Sequence, residues 1–204
     1  MTNIFLIKKI YMKKVVLVMS VMISGMLATA QHVEFGLKGG LNISSLQVKN
    51  SDYKGKAGVH GGLLAHIHLN KTWALQPEVV YSQEGAKYNG LGNIEHKVNV
   101  DYINVPVLLQ YMTKSGFRLQ TGPQIGFMVN AKDEIKNGAT VDVQDNLKSA
   151  NFSWSFGAGY LSSVGVGVDA RFNAGLGNIS DINNGSKIHN NVFQLGIFYQ
   201  FGHK

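Results

Sequence analysis

Four charged residues lie in stretches that are otherwise apolar or rich in glycine, and they are the first candidates for chemistry: Glu78, Arg118, Asp169 and Arg171. Carboxylates and guanidinium groups can form a binding or conduction site, or they can neutralise one another in ion pairs. An isolated charge in a narrow interior is very costly, so it must be paired. We therefore expect these residues to form a structural charge network, and no cofactor is predicted.

Three histidines share one face of a predicted strand. His66 and His68 are two residues apart, and His60 lies further along the same face. Neutral imidazole pairs can bind Zn²⁺ or Cu²⁺. A third ligand would have to come from another strand, and the sequence identifies none. We expect interior hydrogen bonds here rather than a metal site. The chain has no cysteine, which excludes thiolate metal centres, disulfides and a thiol nucleophile.

A second group of titratable residues falls in predicted loops, namely His96, His189 and Asp101. A histidine beside an acid or a serine at the rim of a barrel would suit an enzyme that acts on lipid or peptide. The sequence reveals no such pairing, and it contains no G-x-S-x-G, P-loop or H-E-x-x-H motif. We predict that the protein is not an enzyme. A serine or acid within hydrogen-bond reach of either histidine would favour the alternative.

The elements that carry these residues are β-strands. Apolar residues alternate with polar or small ones at a period of two, and no long segment has a helical period. Eight such stretches follow one another, at 33–43, 59–69, 73–81, 103–111, 117–129, 152–160, 164–172 and 193–201. Val98, Val100 and Tyr102 have the opposite phase to the stretch that follows them, so we expect a β-bulge near Tyr102.

The connections between these stretches alternate in length. Short turns are predicted at 70–72, 113–116 and 161–163, and long polar loops around 47–57, 85–97, 131–150 and 174–190. Short turns on one rim and long loops on the other are typical of bacterial outer-membrane barrels, whose termini lie on the periplasmic side. The sequence thus predicts an all-β fold, an eight-stranded antiparallel up-and-down transmembrane β-barrel.

Residue types on the two faces distinguish a membrane barrel from a soluble one. A soluble barrel has an apolar interior, whereas a membrane barrel is polar inside and apolar outside. The polar face carries many glycines, which suit a crowded interior. The apolar face carries aromatic residues near both ends of the strands, as in the interfacial girdles of membrane barrels. They are Phe35, Trp73, Tyr111, Phe117, Tyr160 and Tyr199 toward the short turns, and Tyr81, Phe127, Phe152, Phe172 and Phe193 toward the long loops.

The N-terminal segment has the features of a secretory signal peptide. Four lysines within residues 8–14 precede an apolar run at 15–27, and Ala28-Thr29-Ala30 forms a small-residue cleavage site. We predict a signal peptide at 1–30, cleavage between Ala30 and Gln31, and a barrel domain at 31–204. Cleavage reduces the net charge from +7 to +3. The basic pI therefore reflects export, and nucleic acid is not an expected partner.

The C-terminal strand ends in a second targeting pattern. Gln194, Gly196, Tyr199 and Phe201 form a polar-x-Gly-x-x-aromatic-x-aromatic sequence. This pattern resembles the β-signal that the barrel-assembly machinery recognises. Three further residues, 202–204, follow it here, whereas the signal is usually terminal.

Several motifs in order along the chain resemble an outer-membrane β-barrel family of Bacteroidetes that includes PorT. They are Phe35-Gly36-Leu37-Lys38-Gly39-Gly40-Leu41-Asn42, Leu75-Gln76-Pro77-Glu78-Val79-Val80-Tyr81-Ser82, Tyr102-Ile103-Asn104-Val105-Pro106, Gly122-Pro123, Asp169-Ala170-Arg171-Phe172-Asn173 and Gly175-Leu176. The resemblance implies an eight-stranded barrel in the outer membrane of a Gram-negative bacterium. It implies little about activity, because a shared barrel does not transfer a role.

The prediction for function follows from the scaffold. The interior of an eight-stranded barrel is just wide enough for side chains to fill, which argues against a general-diffusion pore. We predict a non-enzymatic role in envelope integrity, adhesion or secretion through the extracellular loops, of which 131–150 is the longest. The expected partners are outer-membrane lipid, the barrel-assembly machinery, and a protein or ligand at these loops. A barrel enzyme and a narrow channel or small-ligand binder remain alternatives.

Overall fold

The computed structural model describes residues 33–48, 54–89, 95–135, 138, 140–144, 148–177 and 188–202. Within them there are nine strands: β1 (Val33–Val48), β2 (Lys54–His68), β3 (Trp73–Asn89), β4 (Glu95–Met112), β5 (Phe117–Ile135), β6 (Thr140–Asp142), β7 (Ala150–Leu161), β8 (Val166–Gly175) and β9 (Ile188–Gln200). The predicted signal peptide and its cleavage site between Ala30 and Gln31 lie outside the described residues.

Eight of these strands close into a barrel. Each pairs antiparallel with its neighbours, and β1 pairs with β9 from Gly36 opposite Gln200 to Val48 opposite Ile188. The ninth, β6, is a three-residue strand that pairs with the end of β5. The predicted eight-stranded antiparallel barrel is therefore confirmed. Among the described residues, no helix is long and apolar enough to cross a membrane.

Three tight turns close one rim of the barrel. In the first, the Asn70 side chain accepts hydrogen bonds from the backbone N–H groups of Thr72 and Trp73, both at 2.8 Å. The second and third turns contain Gly116 and Gly165 with φ of 90° and 83°. Positive φ values in this range strongly favour glycine, so these two residues fix where β4 and β7 reverse direction.

At the opposite rim, strands occupy much of the sequence that was predicted to form long loops. Strands β3, β4 and β5 contain 17, 18 and 19 residues, so much of 85–97 and the first part of 131–150 is strand. A tilted strand crosses a bilayer in about 9–11 residues. The extra residues therefore extend beyond the apolar band. The alternation of apolar and polar residues did not reveal these strand extensions, because both faces of a strand in water can be polar. The backbone hydrogen bonds between the strands continue there nonetheless.

Solvent exposure identifies the two faces of the barrel. Leu41 and Ile197 on the outside are 63% and 65% exposed, whereas Asn42 and Arg171 on the inside are 0% and 2% exposed. All the predicted girdle aromatics lie on the outer face, and Trp73 contacts Tyr111 across β3 and β4 with ring centroids 5.3 Å apart. An apolar outside around a polar inside matches a lipid-facing barrel.

The predicted bulge near Tyr102 is present in the pairing but on the other strand. Tyr102 lies opposite Met128, whereas Asp101 lies opposite Asn130, so Val129 of β5 is the additional residue. Strand β4 keeps a single phase, and Val98 and Val100 face inward rather than toward lipid. They belong to an apolar cluster inside the outer part of the barrel, formed by Val98, Val100, Tyr102, Met128, Ala131 and Val143.

Candidate functional site

The centre of the barrel contains a cluster of four buried charges, two of each sign. Arg171 on β8 donates two hydrogen bonds to Glu78 on β3, from Nη1 to Oε2 at 2.9 Å and from Nη2 to Oε1 at 2.8 Å. Lys38 Nζ on β1 lies 3.4 Å from Glu78 Oε2 and 3.2 Å from Asp169 Oδ2. Arg171 Nη2 is also 3.5 Å from Asp169 Oδ2. The cluster is electrically neutral and spans the lumen from β3 to β8.

Neutral neighbours hold this cluster in place. Gln76 Nε2 donates to Glu78 Oε1 at 2.8 Å, and Gln120 Nε2 lies 3.4 Å from Asp169 Oδ2. Strand alternation places all of these side chains on the inner face, which is why they meet although they are far apart in sequence. Lys38 was absent from the predicted network. Its position between Leu37 and Gly39 on the polar face of β1 was the signal that could have revealed it.

Arg118 lies apart from the central cluster. It is only 5% exposed, and its Nη2 donates to Gln200 Oε1 at 3.1 Å. The guanidinium carbon is 5.9 Å from the centre of the Phe198 ring, and the carboxylate of Glu34 interacts with Arg118 electrostatically. The structure therefore brings together Glu78, Asp169 and Arg171 of the four predicted residues, and places the fourth nearer the short-turn rim.

The histidines are arranged for hydrogen bonding. His66 Nδ1 is 3.2 Å from Gln76 Oε1, and the His66 and His68 rings contact edge to face at 4.6 Å between centroids. His60 Nδ1 is 2.8 Å from Asn42 Oδ1. Among the described residues, no group of three or more histidine, cysteine or acidic side chains is placed to hold a metal ion.

Two glycines make room for the His60 ring in the wall of the barrel. Gly40 on β1 pairs with His60 on one side and with Gly196 on the other. A Cβ at Gly40 would lie 2.9 Å from His60 Cε1, and one at Gly196 would lie 3.2 Å from His60 Nε2 and 2.7 Å from Asp169 Oδ1. These contacts are too short for a side chain. The glycines therefore allow large polar side chains to fill the lumen.

The residues of the predicted assembly signal lie on both faces of β9. Gln194 faces inward and donates from Nε2 to Asn42 Oδ1 at 3.0 Å, and Gly196 lies beside His60. Tyr199 and Phe201 are exposed on the outer face, and their rings contact edge to face at 5.2 Å. The pattern thus has a structural use in the folded barrel, and its role in assembly stays a prediction.

A further polar layer lies above the central cluster and was not identified from the sequence. The Glu84 carboxylate is buried and accepts hydrogen bonds from Asn104 Nδ2, at 2.9 Å, and from Asn190 Nδ2. Lys56 Nζ donates to the Glu84 carbonyl oxygen at 2.9 Å. Together with the central cluster, this layer fills the interior with buried polar side chains.

The outer rim contains a three-residue cluster that links the extensions of three strands. His96 Nδ1 on β4 lies 3.0 Å from Asp133 Oδ2 on β5, and Tyr88 on β3 donates from its hydroxyl to the same oxygen at 3.1 Å. The Tyr88 and His96 rings are stacked at 4.8 Å. The sequence suggested His96 and Asp101 as loop residues, but both lie within β4. Asp133, rather than Asp101, is the acid that His96 contacts.

The other two rim candidates lie elsewhere. Asp101 Oδ2 accepts a hydrogen bond from Asn130 Nδ2 at 3.1 Å. His189 belongs to β9 rather than to a loop, and its Nδ1 has no hydrogen-bond partner among the described residues. Within the described residues, the hydrogen bonds of these three titratable residues include one histidine–acid contact, that of His96 with Asp133.

A closed eight-stranded barrel with a lipid-facing exterior and a lumen filled by paired charges is the architecture of a small outer-membrane barrel. Residues 29–181 match the family model described as outer membrane protein beta-barrel domain. The chain belongs to this family, and it is a protein of the outer membrane of a Gram-negative bacterium.

Solved structures of the same fold are known from other bacteria. Neisserial surface protein A shares 14% identity with a TM-score of 0.58, and the match covers 84% of this chain and all of that one. Ail, the attachment invasion locus protein of Yersinia pestis, shares 13% identity with a TM-score of 0.51 over the same shares of both chains. No curated protein sequence matches. At these identities the structural likeness establishes the fold alone.

Proposed function

We propose that this protein is a non-enzymatic outer-membrane barrel that interacts with an external partner through the extension of its strands beyond the membrane. The main observation is the division of the barrel into a filled lumen and a protruding rim. Neutral clusters of buried side chains occupy the interior, which leaves little room for transport. Strands β3 to β5 continue well beyond the length that a bilayer requires. The surface that remains for interaction is this extension, and function concentrates on such rims.

The outer face of the extension favours an anionic partner. Lys87 lies directly opposite Lys97 in the β3–β4 register, and like charges in this position repel each other. On the same face, Lys132 lies opposite Asn99 of β4 on one side and opposite Asp142 of β6 on the other. Lys97 also donates to Glu134 at 3.2 Å, and this hydrogen bond holds the pKa of the Glu134 carboxyl below its usual range. A polyanion bound here would pair with these lysines in competition with Glu134 and Asp142.

One structural neighbour supports this chemistry by analogy. Ail has been solved in complex with the heparin analogue sucrose octasulfate. We propose that a sulfated or phosphorylated saccharide is the partner class of the present extension as well. In maltoside micelles, sucrose octasulfate should bind to the mature barrel, and the double variant Lys97→Gln/Lys132→Gln should weaken binding. The matched control is Lys148→Gln, an exposed lysine outside strands β3 to β5. Equal weakening by the control would contradict a site on the extension.

The interaction role has a separate test on intact cells. A photo-crosslinking residue in place of the exposed Val141 of β6 should form adducts with external molecules. The same residue in place of Lys114, at a short turn, should not reach them. Adducts at the short turn alone would contradict an outward-facing role for the extension.

A second candidate function rests on the contact between His96 and Asp133. An acid that orients a histidine is part of a hydrolytic site, and this geometry favours a barrel enzyme. The described residues place the Tyr88 hydroxyl beside the same histidine nitrogen, and none of the hydrogen bonds among them joins a serine to His96. We therefore favour a structural link between three strands. Hydrolysis of phospholipid or peptide by the purified barrel, lost in His96→Gln, would establish the enzyme instead.

The membership of a narrower family and the route of assembly are also proposals. The sequence motifs support kinship with the PorT-like barrels, and the pattern from Gln194 to Phe201 supports recognition by the barrel-assembly machinery. Phe201→Ala should reduce the amount of heat-modifiable barrel in the outer membrane. Leu176→Ala, which changes an exposed apolar residue outside this pattern, is the control. Equal levels of the two variants would argue against a β-signal in β9.

A further inference from the structure

A polar cavity lies at the short-turn rim, which faces the periplasm in outer-membrane barrels. Its volume is about 400 Å³. The turns after β2, β4 and β7 contribute to its wall, so the cavity opens where the three turns meet. It is distinct from the central ion-pair cluster, which the structure places deeper in the lumen.

Cationic groups dominate the lining of this cavity. Lys71, Lys114 and Arg118 line it, together with His68, and no acidic residue is among its described lining. Glu34 interacts with Arg118 electrostatically but does not line the cavity. Three positive charges against one nearby acid leave an excess of positive charge at the mouth of a low-dielectric barrel. Such an arrangement attracts and concentrates anions.

Arg118 has a buried donor that no described residue satisfies. The residue is 95% buried, since its exposed fraction is 5%, and Nη2 is occupied by Gln200. Nη1 has no hydrogen-bond partner among the described residues. A buried donor that lacks a partner costs free energy, and a guanidinium group is well suited to pair with the oxygens of a phosphate group.

We propose that the periplasmic mouth of the barrel binds a phosphate group, with Arg118 at its inner end and Lys71 and Lys114 at its entrance. Three cations favour a phosphate over a single carboxylate, because a phosphate carries more charge and more acceptor oxygens. Two sources supply this chemistry: the headgroup of a phospholipid in the inner leaflet and a soluble phosphate compound in the periplasm.

Side-chain NMR offers a direct test because the chain contains two arginines, Arg118 and Arg171. The mature barrel, labelled with ¹⁵N-arginine, is placed in maltoside micelles, which carry no phosphate. Inorganic phosphate is then titrated at constant ionic strength. We expect a saturable shift of the Arg118 Nε–H signal, while Arg171, closed off by Glu78, serves as the internal reference. A second sample in phosphatidylglycerol nanodiscs tests the lipid source.

Variants at exposed lysines keep the test independent of folding. Lys114→Gln should weaken the response of Arg118 about two- to fivefold, the usual range for one exposed charge. Lys148→Gln, an exposed lysine at the opposite rim, should leave it unchanged. A response to free phosphate supports a soluble ligand, and one confined to the nanodiscs supports a lipid headgroup. No Arg118 shift in either sample, or equal effects of the two variants, would overturn the proposal.

Discussion

Replacement of Glu78 by glutamine should strongly destabilise the barrel. Glu78 accepts two charge-assisted hydrogen bonds from Arg171 and one hydrogen bond from Gln76, and it lies 3.4 Å from Lys38. Glu78→Gln leaves Arg171 and Lys38 with Asp169 as their only acid in the cluster. The lumen then holds one excess positive charge, and breaking a buried ion pair costs about 3–5 kcal/mol.

The sign of the excess charge makes a compensating change possible. Lys38→Met alone leaves an excess negative charge, whereas Glu78→Gln with Lys38→Met restores neutrality while Arg171 and Asp169 remain. The double variant should therefore be more stable than the sum of the single effects predicts. Residues that contact each other typically show coupling free energies of about 0.5–3 kcal/mol, and we expect a value in the upper half of that range.

Equilibrium unfolding in urea, followed by the heat-modifiable mobility of the barrel in micelles, measures these free energies of unfolding. Glu134→Gln is the matched control, because it removes an acid from a solvent-exposed ion pair with Lys97. Exposed ion pairs contribute little, so this variant should behave like the wild type. If Glu78→Gln were no more destabilising than Glu134→Gln, or if the double variant were additive, the reasoning from buried charge would be refuted.

Three further predictions concern single positions in the barrel. Gly40→Ala should prevent folding, because a Cβ there would overlap the Leu195 carbonyl oxygen. Gly39→Ala is the control and should fold normally, since a Cβ at this position would lie 3.5 Å from its nearest neighbour. The yield of heat-modifiable barrel measures both effects. Tyr102→Phe should leave the free energy of unfolding in urea unchanged or raise it by about 1 kcal/mol, because the buried hydroxyl has no partner among the described residues. A large decrease in the free energy of unfolding would contradict this. Asp133→Asn should weaken the link between β4 and β5, so that hydrogen exchange in their outer segments accelerates while exchange at the short turns is unchanged.

The sequence was sufficient to predict the eight strands of the barrel and their inner and outer faces. In β1 the apolar residues Phe35, Leu37 and Leu41 alternate with Gly36, Lys38 and Gly40. A period of two indicates a strand, and because the apolar face must contact lipid, the polar face must line the interior. The same alternation placed Glu78 and Arg171 in the lumen. It could not give their distance, because the contact depends on register across strands that are far apart in the chain.

The errors occurred where the lipid no longer constrains the sequence. Beyond the apolar band, both faces of β3, β4 and β5 can be polar, so the alternation weakens and the strands were predicted as loops. Val98 and Val100 were assigned to the wrong face for a related reason. Their phase was interpreted as a bulge in β4, whereas the additional residue is Val129 on the partner strand β5. The pattern of a single strand cannot show which of two paired strands carries a bulge.

The sequence by itself determined the membrane barrel, because lipid imposes the alternation of side chains residue by residue. Tertiary structure decided which charges meet. It joined Lys38 to the Glu78–Arg171 pair, separated Arg118 toward the periplasmic mouth, and brought Asp133 to His96. Closure of β1 on β9 fixes the height of Lys38 relative to Asp169 and Arg171 on β8. The register between β4 and β5 fixes the distance between His96 and Asp133.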